Sequence, residues 1–343
     1  MGTLLINRIK SQALMSFLLL CGVLSIAGCS STQSEVGAVK PPQRQDLFGG
    51  QSVPTASPDA PPRTEQEALD RAAAEERAGH LDKALYSYIQ ALDFNESNAD
   101  TLYHIANVQS VRGNAPIAYR AYQEALVLNP EHMLAHAELG VIEMEQRQYH
   151  QARLHLEKAV GLDQHRLEAL QNSTQLKSHF PLDQDSPLRV YNALAILDDL
   201  ENQHEAARDY FRLVLDFQPQ SAMIATNLGY SYYLTGEFIT AEHYLKRAIS
   251  EDPGFKRART NLGLIYIRQG WYAKALSTLE QTMSPADALN DLGYFLMLEG
   301  QYAQAIELFQ KAIDSSPSYF ERAQKNLKNA LAEQRQEIEQ AKN

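Results

Sequence analysis

Cysteine is almost absent from this 343-residue chain: Cys21 and Cys29 are the only two, and both fall within the first 29 residues. A disulfide framework for the body of the chain is excluded, and so is a zinc site built on cysteine pairs. Basic residues are outnumbered, 31 Lys and Arg against 42 Asp and Glu, and nowhere gather into a stripe. The formal net charge of −11 excludes nucleic acid as a partner, because that class of ligand rewards clustered positive charge. Apolar runs are short, and none reaches the ~20 residues of a comfortable spanning helix. Signatures of chemistry are missing too. No Ser-His-Asp order, glycine-rich phosphate loop or His-Glu-x-x-His string occurs, so no catalytic residue and no cofactor are assigned. His132 and His136 have the i, i+4 spacing of a metal site, but His132 falls in a turn and no third ligand is near, so no metal is assigned either.

What the chain does have is an alanine at a nearly fixed interval. Ala84, Ala118, Ala152, Ala207, Ala241, Ala275 and Ala305 follow one another at steps of 34, 34, 55, 34, 34 and 30. With each alanine set at position 20, the repeats begin at Glu65, Ala99, Met133, Leu188, Ala222, Lys256 and Ala286. Position 8 is then always Ala or Gly (Ala72, Ala106, Gly140, Ala195, Gly229, Gly263, Gly293). Position 24 is always large and apolar (Tyr88, Tyr122, Leu156, Phe211, Leu245, Leu279, Phe309). Two antiparallel helices that cross closely need small residues at the crossing and a large one to fill the space between hairpins. Proline ends the second helix at Pro130, Pro219, Pro253 and Pro317. Gly79, Gly113, Gly236, Gly270 and Gly300 stand where the chain must turn between helices.

A 34-residue helix-turn-helix period is that of the tetratricopeptide repeat. The expectation is an all-α tetratricopeptide superhelical solenoid of about seven repeats, with repeats 1–3 over residues 63–166 and repeats 4–7 over 188–319. The step of 55 places an insert at 167–187, either a hinge or a surface loop, whose first part, Leu167 to Phe180, reads as a lone helix. The step of 30 removes about one helical turn around Met283-Ser284-Pro285. Residues 320–343, with an inward stripe of Ala323, Leu327, Ala330 and Leu331, read as a capping helix.

The amino terminus reads as an address. Arg8 and Lys10 precede a largely apolar stretch from Ala13 to Ile26, the pattern of a signal-peptide core. It closes on Leu24-Ser25-Ile26-Ala27-Gly28-Cys29, which resembles a bacterial lipobox. That resemblance implies a lipoprotein signal peptide over residues 1–28, cleavage after Gly28, diacylglycerol on the Cys29 thiol and a fatty acyl chain such as palmitate on the new amino group. Such chains anchor at roughly 0.8 kcal/mol per buried methylene. Ser30 in place of Asp implies the outer membrane, with the protein facing the periplasm. Residues 29–62, rich in Pro, Gly, Ser and Gln and without apolar periodicity, read as the lipidated cysteine and a disordered tether reaching roughly 30 Å.

In arrays of this kind the first helices line a groove. Carried onto this chain, that surface comprises Met223, Thr226, Tyr230 and Tyr233, then Arg257, Thr260, Leu264, Ile267 and Arg268, then Asn290, Tyr294 and Met297. It is apolar and aromatic, the character of a surface that holds a protein segment. The lipobox, the repeats, and the strings Asn261-Leu262-Gly263, Asn290-Asp291-Leu292-Gly293-Tyr294 and Gln324-Lys325-Asn326-Leu327 together resemble the lipoprotein of the tight-adherence (Flp) pilus assembly system. The resemblance implies a non-enzymatic scaffold at the outer membrane that assists assembly of a pilus or secretion apparatus, with a secretin or pilus component as partner. A pilotin for a secretin, or an adaptor for an envelope protease or peptidoglycan hydrolase, are the alternatives.

Overall fold

The computed structural model describes residues 44–49, 60–171 and 179–340. The expected signal peptide and Cys29 lie outside the described residues. Fifteen α-helices and no strand occur among the described residues. None of these helices is long and apolar enough to cross a membrane. The chain divides into two compact units, one comprising Ser34–Thr240 and the other including Ala241–Asn343.

In the first unit the helices pair as hairpins: α1 (Glu65–Arg77) with α2 (Leu81–Phe94), α3 (Ala99–Val111) with α4 (Ala115–Leu128), α5 (Met133–Glu145) with α6 (Tyr149–Gln171), and α7 (Leu188–Leu200) with α8 (His204–Phe217). α9 (Ala222–Leu234) follows and packs on α8. The boundary between units falls inside α10 (Phe238–Glu251). The second unit continues with α11 (Lys256–Arg268) and α12 (Tyr272–Leu279), α13 (Pro285–Leu298) and α14 (Tyr302–Ser315), and closes with α15 (Glu321–Gln340) against α14.

In six of seven repeats the register drawn from the alanines begins on the first residue of the first helix. In the seventh the helix starts one residue earlier, at Pro285, where Ser284 caps it by accepting from the Asp287 N–H at 3.1 Å. Thr64, Asn98 and Ser221 cap α1, α3 and α9 in the same way. All seven position-20 alanines are fully buried. The turn between the two helices places a left-handed residue at one register throughout: the five predicted glycines, and Arg147 and Asn202 in repeats 3 and 4, with φ of 61° and 63°.

A second regularity joins successive repeats. From repeat 2 to repeat 6, position 21 of one repeat meets position 11 of the next. Tyr119 donates to Glu143 at 2.9 Å, Arg153 pairs with Asp198 at 2.8 Å, and the Arg208 guanidinium lies 4.1 Å from the Tyr232 ring centre. In the second unit Tyr266 donates to Glu242 at 2.9 Å. Asp198 is buried, and burial lifts its pKa while Arg153 opposes the rise. These rungs satisfy polar groups that would otherwise be desolvated without partners.

Three expectations need correction. Leu167 to Gln171, expected to open a lone helix in the insert, belong instead to α6, which runs unbroken to Gln171; residues 172–178 lie outside the described residues. The second helices of repeats 2, 4, 5 and 7 meet proline at position 32, whereas repeat 3 has Gln164 there and its helix continues past that position. Residues 179–187 return along this extension. Gln164 bonds the Phe180 backbone through both of its side-chain groups, and Arg166 grips Asp183 with two 2.7 Å bonds. Arg166 holds the Asp183 carboxyl down, at about 2. In α15, Ala323 and Ala330 are buried and Leu327 half-buried, but Leu331 is exposed. Within the segment expected to be a disordered tether, Gln45–Phe48 form a 3-10 turn with Leu47 and Phe48 buried.

The helix crossing is tight where position 8 is glycine. A Cβ on Gly140 would stand 2.8 Å from Leu156 Cγ and 3.1 Å from the Leu156 backbone nitrogen, while one on Gly263 would meet Leu279 at 3.0 Å. Gly140→Ala gains about 1 kcal/mol of helix propensity but forces the two helices apart. Overpacking of this kind costs about 1–3 kcal/mol. Urea unfolding of Gly140→Ala should show a lower midpoint than the parent, and Gly263→Ala a smaller loss. A Gly140→Ala midpoint above the parent's would contradict the geometry.

Candidate functional site

The surface expected to receive a partner is divided between the units, and each part has its own construction. In the first unit it lies on α9. Met223 is 43% exposed, and Tyr230 and Tyr233 stack with ring centres 5.6 Å apart and planes 23° from parallel. Burial pushes the Tyr230 hydroxyl above its ordinary pKa, so it stays protonated and available as a donor. Thr226 is not part of this surface. It is fully buried, and its Oγ1 donates to the Ala222 carbonyl at 2.7 Å. Asn227 one residue on donates to Asn192 of α7 at 2.7 Å and clasps two successive first helices.

In the second unit Arg268 is exposed and pairs with Glu299 at 2.6 Å. Arg257, Thr260, Tyr294 and Met297 are half-buried. Burial lowers the Arg257 pKa, and its guanidinium lies 5.4 Å from the Phe255 ring centre. Thr260 donates to the Lys256 carbonyl at 3.2 Å. Burial raises the Tyr294 hydroxyl pKa. Leu264, Ile267 and Asn290 are buried instead of lining a surface. Asn290 has a structural use: its amide donates to Asp291 at 3.1 Å, and its oxygen accepts from Asn326 of α15 at 3.0 Å. The capping helix is thus fastened by the same asparagine contact that joins α7 to α9. Helical spacing identified the faces of these residues but could not say what would cover them. The sequence signal for the clasp was present, in asparagines recurring near the start of successive first helices.

The two histidines read from spacing bond separate partners. His132 caps α5, its Nδ1 accepting from Ala135 N–H at 3.2 Å, and its Nε2 is 3.0 Å from Asp100. His136 meets His155 of α6 instead, Nδ1 to Nδ1 at 2.8 Å. The His136 Nε2 lies 3.0 Å from the Pro130 carbonyl, which only accepts, so this nitrogen carries the proton and His155 donates across the pair. Glu143, buried and raised in pKa by that burial, lies 3.8 Å from the other nitrogen of His155. Among the described residues no group of three or more His, Cys, Asp or Glu side chains comes together as a metal site would require. Trp271 stands at the start of α12, half exposed and stacked on Tyr266.

Sequence reasoning missed one constellation: Tyr86, Gln109 and Glu124 on α2, α3 and α4, gathered around the 44–49 turn. A signal existed. Leu47-Phe48 is the only adjacent pair of large apolar residues between 30 and 62.

The tetratricopeptide repeat matches at residues 103–166, 232–288 and 286–319. Those segments are tetratricopeptide repeats. A tetratricopeptide repeat protein from Parabacteroides merdae superposes with a TM-score of 0.51 at 15% identity, over 79% of this chain and 100% of that one. PilF of Pseudomonas aeruginosa gives 0.48 at 17% identity, over 72% and 96%. The BBSome complex member BBS4 homolog of Drosophila melanogaster is 25% identical over 222 residues, covering 60% of this chain and 44% of its own length. The chain thus spans less than half the length of that curated relative. The likeness to the Parabacteroides merdae protein shows the fold. Tetratricopeptide arrays are generally non-catalytic scaffolds that bind other proteins.

The histidine pair makes stability acid-sensitive. Burial holds both His136 and His155 below the ordinary histidine value of 6.5. The unfolded chain therefore takes up protons first, and the stabilisation present above pH 6.5 is lost as pH falls below it. Urea midpoints measured from pH 7.5 to 5.0 should fall more steeply for the parent than for His136→Gln/His155→Gln. Parallel profiles would show that the pair does not titrate as described.

Proposed function

We propose that this tetratricopeptide protein is a lipid-anchored, non-catalytic scaffold of a bacterial envelope, holding a segment of a partner protein against its first-helix surface. The observation that carries the reading is an order of parts in the sequence: an apolar stretch ending in Leu24-Ser25-Ile26-Ala27-Gly28-Cys29, a spacer, then an array of protein-binding repeats. In this reading Cys29 bears the acyl chains, and the array faces the periplasm from the outer membrane. The partner is a component of a pilus or secretion apparatus, a secretin or a pilus-assembly subunit. The stacked Tyr230 and Tyr233 beside exposed Met223 support the binding role. Tyrosines of this kind supply large rigid contact area at small entropic cost.

Two measurements test the reading. Cells expressing the parent and Cys29→Ser are fed labelled palmitate and fractionated. The parent should carry label and sediment with outer membrane, whereas Cys29→Ser should be unlabelled and soluble; identical behaviour would remove the anchor. A photo-crosslinker at position 223 should then capture a secretin or pilus subunit, and Tyr230→Ala/Tyr233→Ala should cut the yield at least several-fold. Undiminished capture would exclude the tyrosine surface.

A further inference from the structure

We propose that the second-helix face of repeats 1 and 2 is a docking seat for a short Leu-Phe turn of a partner protein, occupied in this structure by the chain's own Arg44–Gly49.

Three observations on different residues support the seat. The first is burial at position 22. In repeats 2 to 7 the second helix leaves that position exposed, at Arg120, Leu154, Asp209, His243, Ser277 and Glu307, with Leu154 57% open. In repeat 1 it is Tyr86, only 8% exposed, with its ring centre 6.5 Å from that of Phe48. Tyr86 is covered by the turn, since its place on the helix alone leaves such a side chain in water.

The second is a donor set up for a carbonyl. At the four junctions from repeat 2 to repeat 6, position 11 meets a partner at position 21 of the repeat before, as in Tyr119–Glu143 and Arg153–Asp198. At the first junction position 21 is Leu85, which has no polar group, and position 11 is the fully buried Gln109. The Gln109 oxygen is fixed by Arg112 at 2.9 Å and Asn114 at 2.7 Å, so its NH2 group faces the seat, where it donates to the Leu47 carbonyl. The interrupted rung is what creates the site.

The third is charge and shape. Arg44 pairs with Glu124 at 2.5 Å at one end of the turn. Gly49 closes the other end with a φ of +69° and its N–H on the Asp46 carbonyl, where a side chain would run into Ile117. A matching partner segment therefore carries a basic residue, then two adjacent large apolar residues in one turn, then glycine. Peptides of this kind read one backbone carbonyl and two side chains, so they bind weakly and depend on all three contacts.

The seat is shut from within. Only ten residues join Gly49 to Ala60, so the tethered turn acts at an effective concentration of order 1 mM. Against a free peptide with Kd of order 100 µM, that competition weakens capture about tenfold.

The test uses the full chain in detergent and a labelled peptide spanning Pro42 to Gly50. The peptide should bind Leu47→Ala/Phe48→Ala, whose seat is vacated, about tenfold more tightly than the parent, and its own Ala-Ala version should bind neither. Adding Glu124→Arg to the vacated chain should weaken binding at least several-fold, and a peptide with Arg44→Glu should restore it. To guard against misfolding of the double variant, a protease site is placed within residues 51–58 of an otherwise parental chain and cut after folding. Release of the amino-terminal piece should open the same site. Failure of the peptide to bind either opened form, or equal binding to opened and parental chains, would overturn the proposal. A concentration-dependent parental dimer abolished by Leu47→Ala/Phe48→Ala would assign the seat to a second copy of this chain and overturn the partner reading.

Discussion

Everything in this array depends on how closely the two helices of a hairpin cross. A buried alanine at position 20 faces a residue at position 8 no larger than alanine, and the side chain at position 24 closes the space beside them. The contact is steric before it is energetic. It sets the interaxial distance, and through it which residues of the second helix reach the next repeat. Leucine at position 24 goes with glycine at position 8 in repeats 3, 5 and 6, whereas Tyr88, Tyr122 and Phe211 go with alanine. A leucine branches at Cγ, where the neighbour's Cβ would stand, as the 2.8 Å approach at Gly140 shows. Repeat 7 combines glycine with Phe309, and there the ring edge comes as near, at 2.9 Å.

Those contacts are short-range and repeat every 34 residues, so they leave a direct record in the sequence. In six of seven repeats the start of the first helix was legible to the residue, because alanine and glycine are required at the crossing. The proline-terminated ends were equally legible, because proline removes a ladder hydrogen bond. Reading failed where a signal had to be inferred from an absence. Repeat 3 lacks proline at Gln164, and α6 runs on past it. Arg147 and Asn202 take up the left-handed turn position without being glycine, so nothing marked those turns.

The binding surface was less legible for a different reason. Periodicity assigns a residue to a face, and burial depends on what chain lies over that face. Thr226, Leu264, Ile267 and Asn290 have the right phase yet are covered, whereas Met223, Tyr230 and Tyr233 share that phase and keep exposed or half-exposed surface. The 44–49 turn shows the converse. Its composition is that of a linker, and only a complementary seat 40 to 80 residues away gives Leu47 and Phe48 something to bury against. Long-range contacts of this kind have no period, so no window of sequence displays them.

The central claim is that the position-20 crossing admits no bulk. A graded series at Ala118, with Gly, Ser, Val and Leu, measures it most directly by urea unfolding followed by helicity. Ala118 is fully buried in α4 against α3. The account predicts midpoints that fall in order of side-chain volume beyond alanine, with Ala118→Leu the least stable, by roughly 1–3 kcal/mol or more. An Ala118→Leu chain that unfolds at the parental midpoint would contradict the close crossing and the register built upon it.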